Sequence, residues 1–159
     1  MLSKLDINTT LKVLNDLAPA GFAIAFHVKF AAPSFLLQNY PKDWQAIYNR
    51  QGLMLKDPTV RWSSQNNGLI RWSALADDDP DNVFGQAAEH GLKFGAACGL
   101  ESMGTRTLAG FARSDREPTA GEMGEFERLL YILHDASSVD APDAASIREN
   151  LKKLSAIVA

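Results

Sequence analysis

A single cysteine, Cys98, in a chain of 159 residues excludes an internal disulfide, and no Cys/His spacing fits a zinc site. The three histidines, His27, His90 and His134, stand far apart in unrelated contexts, so no metal is expected. No apolar run is long enough to cross a bilayer, because Lys29 and Arg71 interrupt the two most hydrophobic stretches. The first ten residues, MLSKLDINTT, lack the apolar centre of a secretory signal, and a cytoplasmic location is expected. The net charge of −3 is spread along the chain without a basic arm or stripe, which argues against a nucleic-acid grip by these residues. G-x-S-x-G elbows and Cys/His/Asp patterns are also missing, so the chain is not expected to be an enzyme. A buried structural role is expected for Cys98, between Ala97 and Gly99.

What is present suits one compact domain. The chain is 46% hydrophobic and 22% charged, ordinary values for a globular protein with a real core. Residues Thr9 to Leu17 predict a helix with Leu11, Leu14 and Leu17 on one face and Asn8 or Thr9 as cap. Phe22 to Ala31 reads as a buried strand and Ser34 to Leu37 as its hairpin partner. Pro41 and Gly52 bracket a helix, and Asp57-Pro58 opens a turn or short helix through Trp62. Gly68 to Leu75 reads as extended, and the Asp77-Asp78-Asp79-Pro80 signal starts a helix that stops at Gly91. Leu92 to Met103 and Thr107 to Ser114 form a hairpin around Gly104. Thr119 and Glu122 make a capping box for a long helix striped with Met123, Phe126, Leu130 and Leu133. Past Pro142, a last helix places Ile147, Leu151, Leu154 and Val158 on one side. This order predicts an α+β fold, with an antiparallel sheet of about five strands and helices on both faces.

The chemistry concentrates between Tyr40 and Trp72. Tyr40, Trp44 and Tyr48 recur at i, i+4 and i+8, so a helix stacks them along one face. Their polar tips are one indole N–H, a donor only, and two phenols that donate or accept. Leu53, Leu55 and Asp57 alternate, so Asp57 is expected to face inward with apolar neighbours. A carboxylate there needs donors, and a ligand amide N–H is one. The set complements a small molecule with an amide, a second carbonyl and an apolar tail. Two plainer readings stay open at this level: the aromatic stripe as ordinary core, and Asp57-Pro58 as a helix cap.

The string NYPKDWQAIYNRQGLMLKDPTV resembles the signature of LuxR-family autoinducer-binding domains, with its Asn-Tyr-Pro, Trp, Tyr and Asp-Pro in order. Trp72 and Gly95 match the family's later Trp and Gly, and the similarity extends from about Thr9 to Asp135. The resemblance implies an α/β/α sandwich, PAS- or GAF-like in outline, that binds an N-acyl-homoserine lactone. Carried over by position, Trp44 would donate to the lactone carbonyl, Asp57 would accept the amide N–H, and Tyr40 would bond the acyl carbonyl. Tyr48 would pack along the acyl chain, Trp72 against the ring, and Thr59 at the pocket; Pro58 and Gly95 would be structural. Two departures stand out: Gly99 takes the place of a common Pro, and Ala112 that of a Ser or Thr on the pocket floor.

The resemblance also implies a homodimer, with residues 1–140 as sensory domain and 141–159 as a linker or dimerisation helix. DNA contact would belong to a helix-turn-helix domain missing from this sequence. Either the sequence is a piece of a longer regulator or the protein works as a decoy paired with a full-length relative. A ligand-free dimerisation module of the same fold is the remaining alternative.

Overall fold

The structure, a computed structural model, describes residues 4–29, 33–141 and 143–158. The elements run α1 (Lys4–Leu17), β1 (Gly21–Val28), β2 (Phe35–Gln38), α2 (Lys42–Arg50), α3 (Pro58–Gln65), β3 (Gly68–Arg71), α4 (Val83–Ala88), β4 (Phe94–Ser102), β5 (Thr105–Arg113), α5 (Ala120–Ala136) and α6 (Ala144–Val158). Two 3-10 turns, Leu53–Lys56 and Trp72–Asp78, precede α3 and α4. The five strands form one sheet in the order β2-β1-β5-β4-β3, antiparallel at every junction. The fold is therefore the expected α+β arrangement of a five-stranded antiparallel sheet with helices around it.

Several local expectations are revised. α1 begins at Lys4 rather than near Thr9, and the extended stretch from Gly68 ends at Arg71, where Trp72 opens a 3-10 turn. α4 is a single short helix, Val83–Ala88, shorter than the Pro80-to-His90 reading. Leu53, Leu55 and Asp57 do not alternate in a strand. Leu53 is buried while Leu55 is 83% exposed in a 3-10 turn, and Asp57 turns inward because it caps α3. The end of the first predicted strand at residues 30 and 31, residue 32, Pro142 and the side chains of Leu154 and Val158 lie outside the described residues.

Strand alternation divides the interior in two. On one face Phe22, Ile24 and Phe26 of β1, Leu37 of β2, Cys98 and Leu100 of β4 and Phe111 of β5 form a continuous core. α1, α5 and α6 cover it with Ile7 and Leu14, Phe126, Leu130 and Leu133, and Ile147 and Leu151. Phe111 and Phe126 stack ring on ring at 4.3 Å. Cys98 is wholly buried here, and burial pushes its thiol up to about 12, so it serves as a small apolar residue. The capping box forms as read. Thr119 N–H donates to Glu122 Oε1 at 2.8 Å, and Glu122 N–H donates to Thr119 Oγ1 at 3.1 Å. On the opposite face the aromatic residues Trp44 and Trp72 gather with Leu53, Val83, Ala87, Leu92, Ala97 and Ala112.

The far end of the first core holds a polar chain that sequence spacing does not reveal. His27 sits at a bulge with φ of 50°; its Nδ1 meets Thr105 Oγ1 at 2.6 Å and its Nε2 meets Ser137 Oγ at 2.9 Å. The Ser137 hydroxyl donates to Leu133 O, so it accepts from His27 Nε2–H. His134 Nε2–H donates to Ser102 O at 2.9 Å, and its Nδ1 faces Thr107 Oγ1 at 2.6 Å. Arg148 of α6 donates to Ser137 O, tying the last helix to this junction. Burial, then the neighbouring His134, Arg148 and Lys29, holds His27 down at about 4. An unfolded histidine takes its proton near 6.5. The unfolded chain therefore binds more protons between those values, and stability falls as pH drops from 6.5 toward 4. Urea midpoints measured across that window should fall for the wild type and fall less for His27→Asn, a residue that tolerates the same backbone; parallel curves would rule out His27 as the source.

Candidate functional site

Between the second sheet face and the α2–α4 side lies a cavity of about 470 Å³. Its sheet wall is built mainly of small or apolar residues, Ala23 and Ala25 of β1, Leu108 and Gly110 of β5 and Leu36 of β2, with Gln38 of β2 as the one polar side chain among these. Its helical wall carries the polar groups, Tyr40, Trp44, Tyr48, Asp57, Thr59 and Ser63. Of the residues singled out by sequence, Tyr40, Trp44, Tyr48, Asp57, Thr59 and Trp72 thus stand around one space. Ala112 does not line it. That residue is fully buried beside the tryptophans, and Gly110, two residues earlier on the same strand face, holds the wall position.

The helical wall is organised by Asp57. Its side chain caps α3, with Pro58 at the first helical position. Oδ1 accepts from Thr59 N–H at 2.9 Å and from the Thr59 hydroxyl at 2.7 Å, while Oδ2 accepts from the Tyr48 hydroxyl at 2.8 Å. A carboxylate offers about four acceptor positions, so one on Oδ2 is left over. Burial raises the Asp57 carboxyl above the usual carboxylate range, against the opposing hydrogen bonds from Thr59 and Tyr48. Burial first and the Asp57 charge second also push the Tyr40 and Tyr48 phenols well up, so both remain neutral donors. The cap and inward-carboxylate readings of Asp57 are compatible, since one side chain does both.

The aromatic groups rest on glycines. A Cβ at Gly95 would lie 2.5 Å from Trp72 Cε2 and 2.6 Å from Phe111 O; only a bare backbone lets the indole lie on β4. A Cβ at Gly110 would meet the Tyr40 hydroxyl at 2.9 Å, and one at Gly21 would meet the Tyr40 ring at 2.8 Å. Gly99 serves α3 in the same way: a Cβ there would strike Asn66 O at 2.2 Å and Ser63 O at 2.4 Å. Arg106 then donates to both of those carbonyls, at 2.9 and 3.0 Å, closing the end of α3. Trp44 packs edge-on to Tyr48 at 5.7 Å and against His90 at 5.6 Å. Trp72 stacks on Phe84 at 5.7 Å, and its indole N–H is buried with no acceptor among the described residues.

Sequence reasoning missed part of the lining. Val83, Phe84 and Ala87 of α4 close one side. They are placed by Asp79, whose carboxylate accepts from Val83 N–H at 2.8 Å and Phe84 N–H at 2.9 Å. The acidic run was legible as a helix start, but not which face of so short a helix turns inward. Gln38 and Gln45 were also missed; Gln45 donates to Tyr40 O at 2.8 Å. Among the described residues no group of His, Cys, Asp and Glu could hold a metal ion, and no helix is long and apolar enough to cross a membrane.

A cavity of this size, apolar on the sheet side and edged with convergent donors and a carboxylate, is the form of a small-molecule site. The family model for the autoinducer-binding domain matches residues 20–137. The chain belongs to this family, the ligand-sensing domain of LuxR-type quorum-sensing regulators. It is similar to the transcriptional activator VanR of Vibrio anguillarum, 30% identical over 142 residues, covering 85% of this chain and 51% of that protein. It is also similar to the activator SolR of Ralstonia solanacearum, 31% identical over 99 residues, covering 62% of this chain and 42% of that one. The chain thus spans about half the length of these relatives or less. Among solved structures, Escherichia coli SdiA superposes with a TM-score of 0.63 at 19% identity, covering 97% of this chain and 63% of SdiA, a likeness of fold.

If Asp57 is the joint of the helical wall, its partners carry measurable stability. Tyr48→Phe removes the only donor to Oδ2 among the described residues and should cost on the order of 1–3 kcal/mol. Asp57→Ala removes a cap, about 1 kcal/mol, and also strands the Tyr48 and Thr59 hydroxyls, so it should cost more. Thermal unfolding would read these as falls of about 2–4 °C per kcal/mol for a chain of this size; unchanged midpoints in both variants would show that the wall is held some other way.

Proposed function

We propose that this domain binds an N-acyl-homoserine lactone in the cavity, as the sensory part of a transcription regulator. The observation that carries the reading is that Trp44 and Asp57 line one space whose sheet side is apolar. An indole N–H can only donate and an ionised carboxylate can only accept, so the pair selects a carbonyl beside an N–H. The Trp44 indole donates to the lactone carbonyl, and the open position on Asp57 Oδ2 accepts the ligand amide N–H. Tyr40, whose phenol stays neutral, donates to the acyl carbonyl. Tyr48 flanks the acyl chain while its hydroxyl remains on Asp57, Thr59 braces the carboxylate, and Trp72 packs on the ring. Gly110, which holds the β5 position on the wall, brings no hydroxyl, so β5 leaves the acyl carbonyl to Tyr40. No chemistry is performed on the ligand, and the domain is not an enzyme.

Binding of this kind completes the wall rather than an active site. Each buried hydrogen bond contributes about 1 kcal/mol net, or roughly 1.5–3 with a charged partner. The occupied form is favoured by mass action, and occupancy passes onward as a shift between conformations. Residues 1–140 are the sensory domain and 141–159 the segment leading away from it. We take DNA contact to belong to a separate helix-turn-helix domain, the working unit to be a homodimer and its compartment the cytoplasm.

A thermal-shift panel of N-acyl-homoserine lactones tests the reading. At least one lactone should stabilise the domain, by about 2.7 kcal/mol at a hundredfold excess over Kd. The stabilisation should be reduced in Trp44→Phe and lost in Asp57→Ala, measured against each variant's own ligand-free midpoint. A panel in which no lactone shifts the wild type would refute it.

A further inference from the structure

The exposed apolar side chains are not scattered evenly. Leu36 on β2 is 42% exposed, and Met54 and Leu55 in the first 3-10 turn are 49% and 83% exposed, yet all three line the cavity. They form a greasy rim where the cavity opens to solvent, between the edge strand of the sheet and the turn that follows α2. Tyr40 and Trp72 lie away from this rim. Tyr40 stands over Gly110, and Trp72 over Gly95, which pairs with Ala112 one row further from the rim.

The sheet register gives the distance between the two ends. Leu36 pairs with Ala25, and Ala25 pairs with Leu108, two residues before Gly110. Two strand spacings and two residues of rise separate the Tyr40 hydroxyl from Leu36 by about 12 Å. A zigzag of carbon–carbon bonds near 1.5 Å advances a little less than that per atom, so roughly ten carbons cover the path. Along it, Ala23, Ala25 and Leu108 face the cavity, and the half-exposed Leu36 and Met54 with the exposed Leu55 stand where it ends.

We propose that the ligand's tail is long, about ten carbons or more, and leaves the cavity over Leu36, Met54 and Leu55, which act as specificity-determining residues by covering the emerging end. The proposal rests on the lactone reading above and adds tail class and exit route. A cavity shut at its far end would reject tails past a fixed length. An open apolar rim instead lets each further methylene bury surface against side chains that are otherwise wet, worth about fourfold in affinity per methylene until the rim is covered.

The test is a calorimetric titration of the domain with straight-chain lactones from butanoyl to tetradecanoyl. Affinity should rise through decanoyl and dodecanoyl with no sharp cut-off. In Leu55→Ser, a change at an 83% exposed position, the affinity ratio of dodecanoyl to hexanoyl lactone should fall by about tenfold. Met54→Ser should act in the same direction. Binding of short lactones with rejection of decanoyl and longer ones would overturn the open-rim proposal and leave the lactone reading standing, as would an unchanged ratio in both variants. Failure of every lactone to bind would overturn both.

Discussion

A buried carboxylate that must be satisfied sets the geometry of the ligand-facing half of this domain. Asp57 is 8% exposed, and an unpaired charge at that depth would cost several kcal/mol. It finds donors from two directions, the backbone N–H and hydroxyl of Thr59 at the start of α3 and the phenol of Tyr48 near the end of α2. These bonds fix the angle between the two helices and hence the places of Tyr40 and Trp44 on the same wall. Were the charge neutralised or removed, the wall would lose its reason for this angle before the sheet noticed. The same burial raises the Asp57 carboxyl, and the hydrogen bonds from Thr59 and Tyr48 work against that rise.

The sheet meets that wall with the opposite strategy. Its far face is a conventional core of Phe, Ile and Leu packed under α1, α5 and α6. Its near face is stripped down to Gly and Ala wherever an aromatic ring must approach, at Gly21, Gly95 and Gly110. One face therefore supplies the hydrophobic free energy of folding while the other leaves room. Because side chains alternate along each strand, the two tasks are assigned by odd and even positions: Phe22, Ile24 and Phe26 point one way, Ala23 and Ala25 the other. A slip of one residue in β1 would fill the cavity and empty the core, which is why such a register is strongly specified.

Much of this was legible from sequence, for identifiable reasons. The strand and helix order follows from periodicity and from strong stop signals such as Gly52 and Gly91, and the Thr119 capping box is a local motif that tertiary context did not override. The spacing of Trp44 and Tyr48 was readable because α2 turns both toward one side, whereas Tyr40 was wrongly read onto the same helix: it precedes the N-cap Pro41 and reaches the cavity from the segment before α2. What was not legible depends on contacts distant in the chain. Alternation misled at Leu53–Lys56, a 3-10 turn rather than a strand, because Asp57 is turned inward as the cap of α3 and as the acceptor of the Tyr48 hydroxyl from α2. The position of Gly110 rather than Ala112 on the cavity wall depends on how Tyr40, seventy residues earlier, lies across β5. The His27 chain joins residues 78, 107 and 110 positions apart in pairs no local pattern links: Thr105 is 78 positions from His27 and Ser137 is 110, with His134 between them in sequence.

The division between a polar helical wall and an apolar sheet wall also decides which parts of a ligand each can discriminate. Hydrogen-bond donors and acceptors reject a molecule lacking the matching group far more strongly than an apolar surface rejects an added methylene. The strongly directional groups Trp44, Tyr40 and Asp57 stand on the helical side of the cavity. With Gly110 and Leu108 on β5 and Ala25 on β1, the sheet side offers area and little direction. Gln38 is the exception among these sheet positions. It pairs in register with Ala23 and so shares a row with Gly110, which places an amide opposite the aromatic wall. A wall able to reject a molecule and a wall that mainly adds contact area therefore face each other across the cavity.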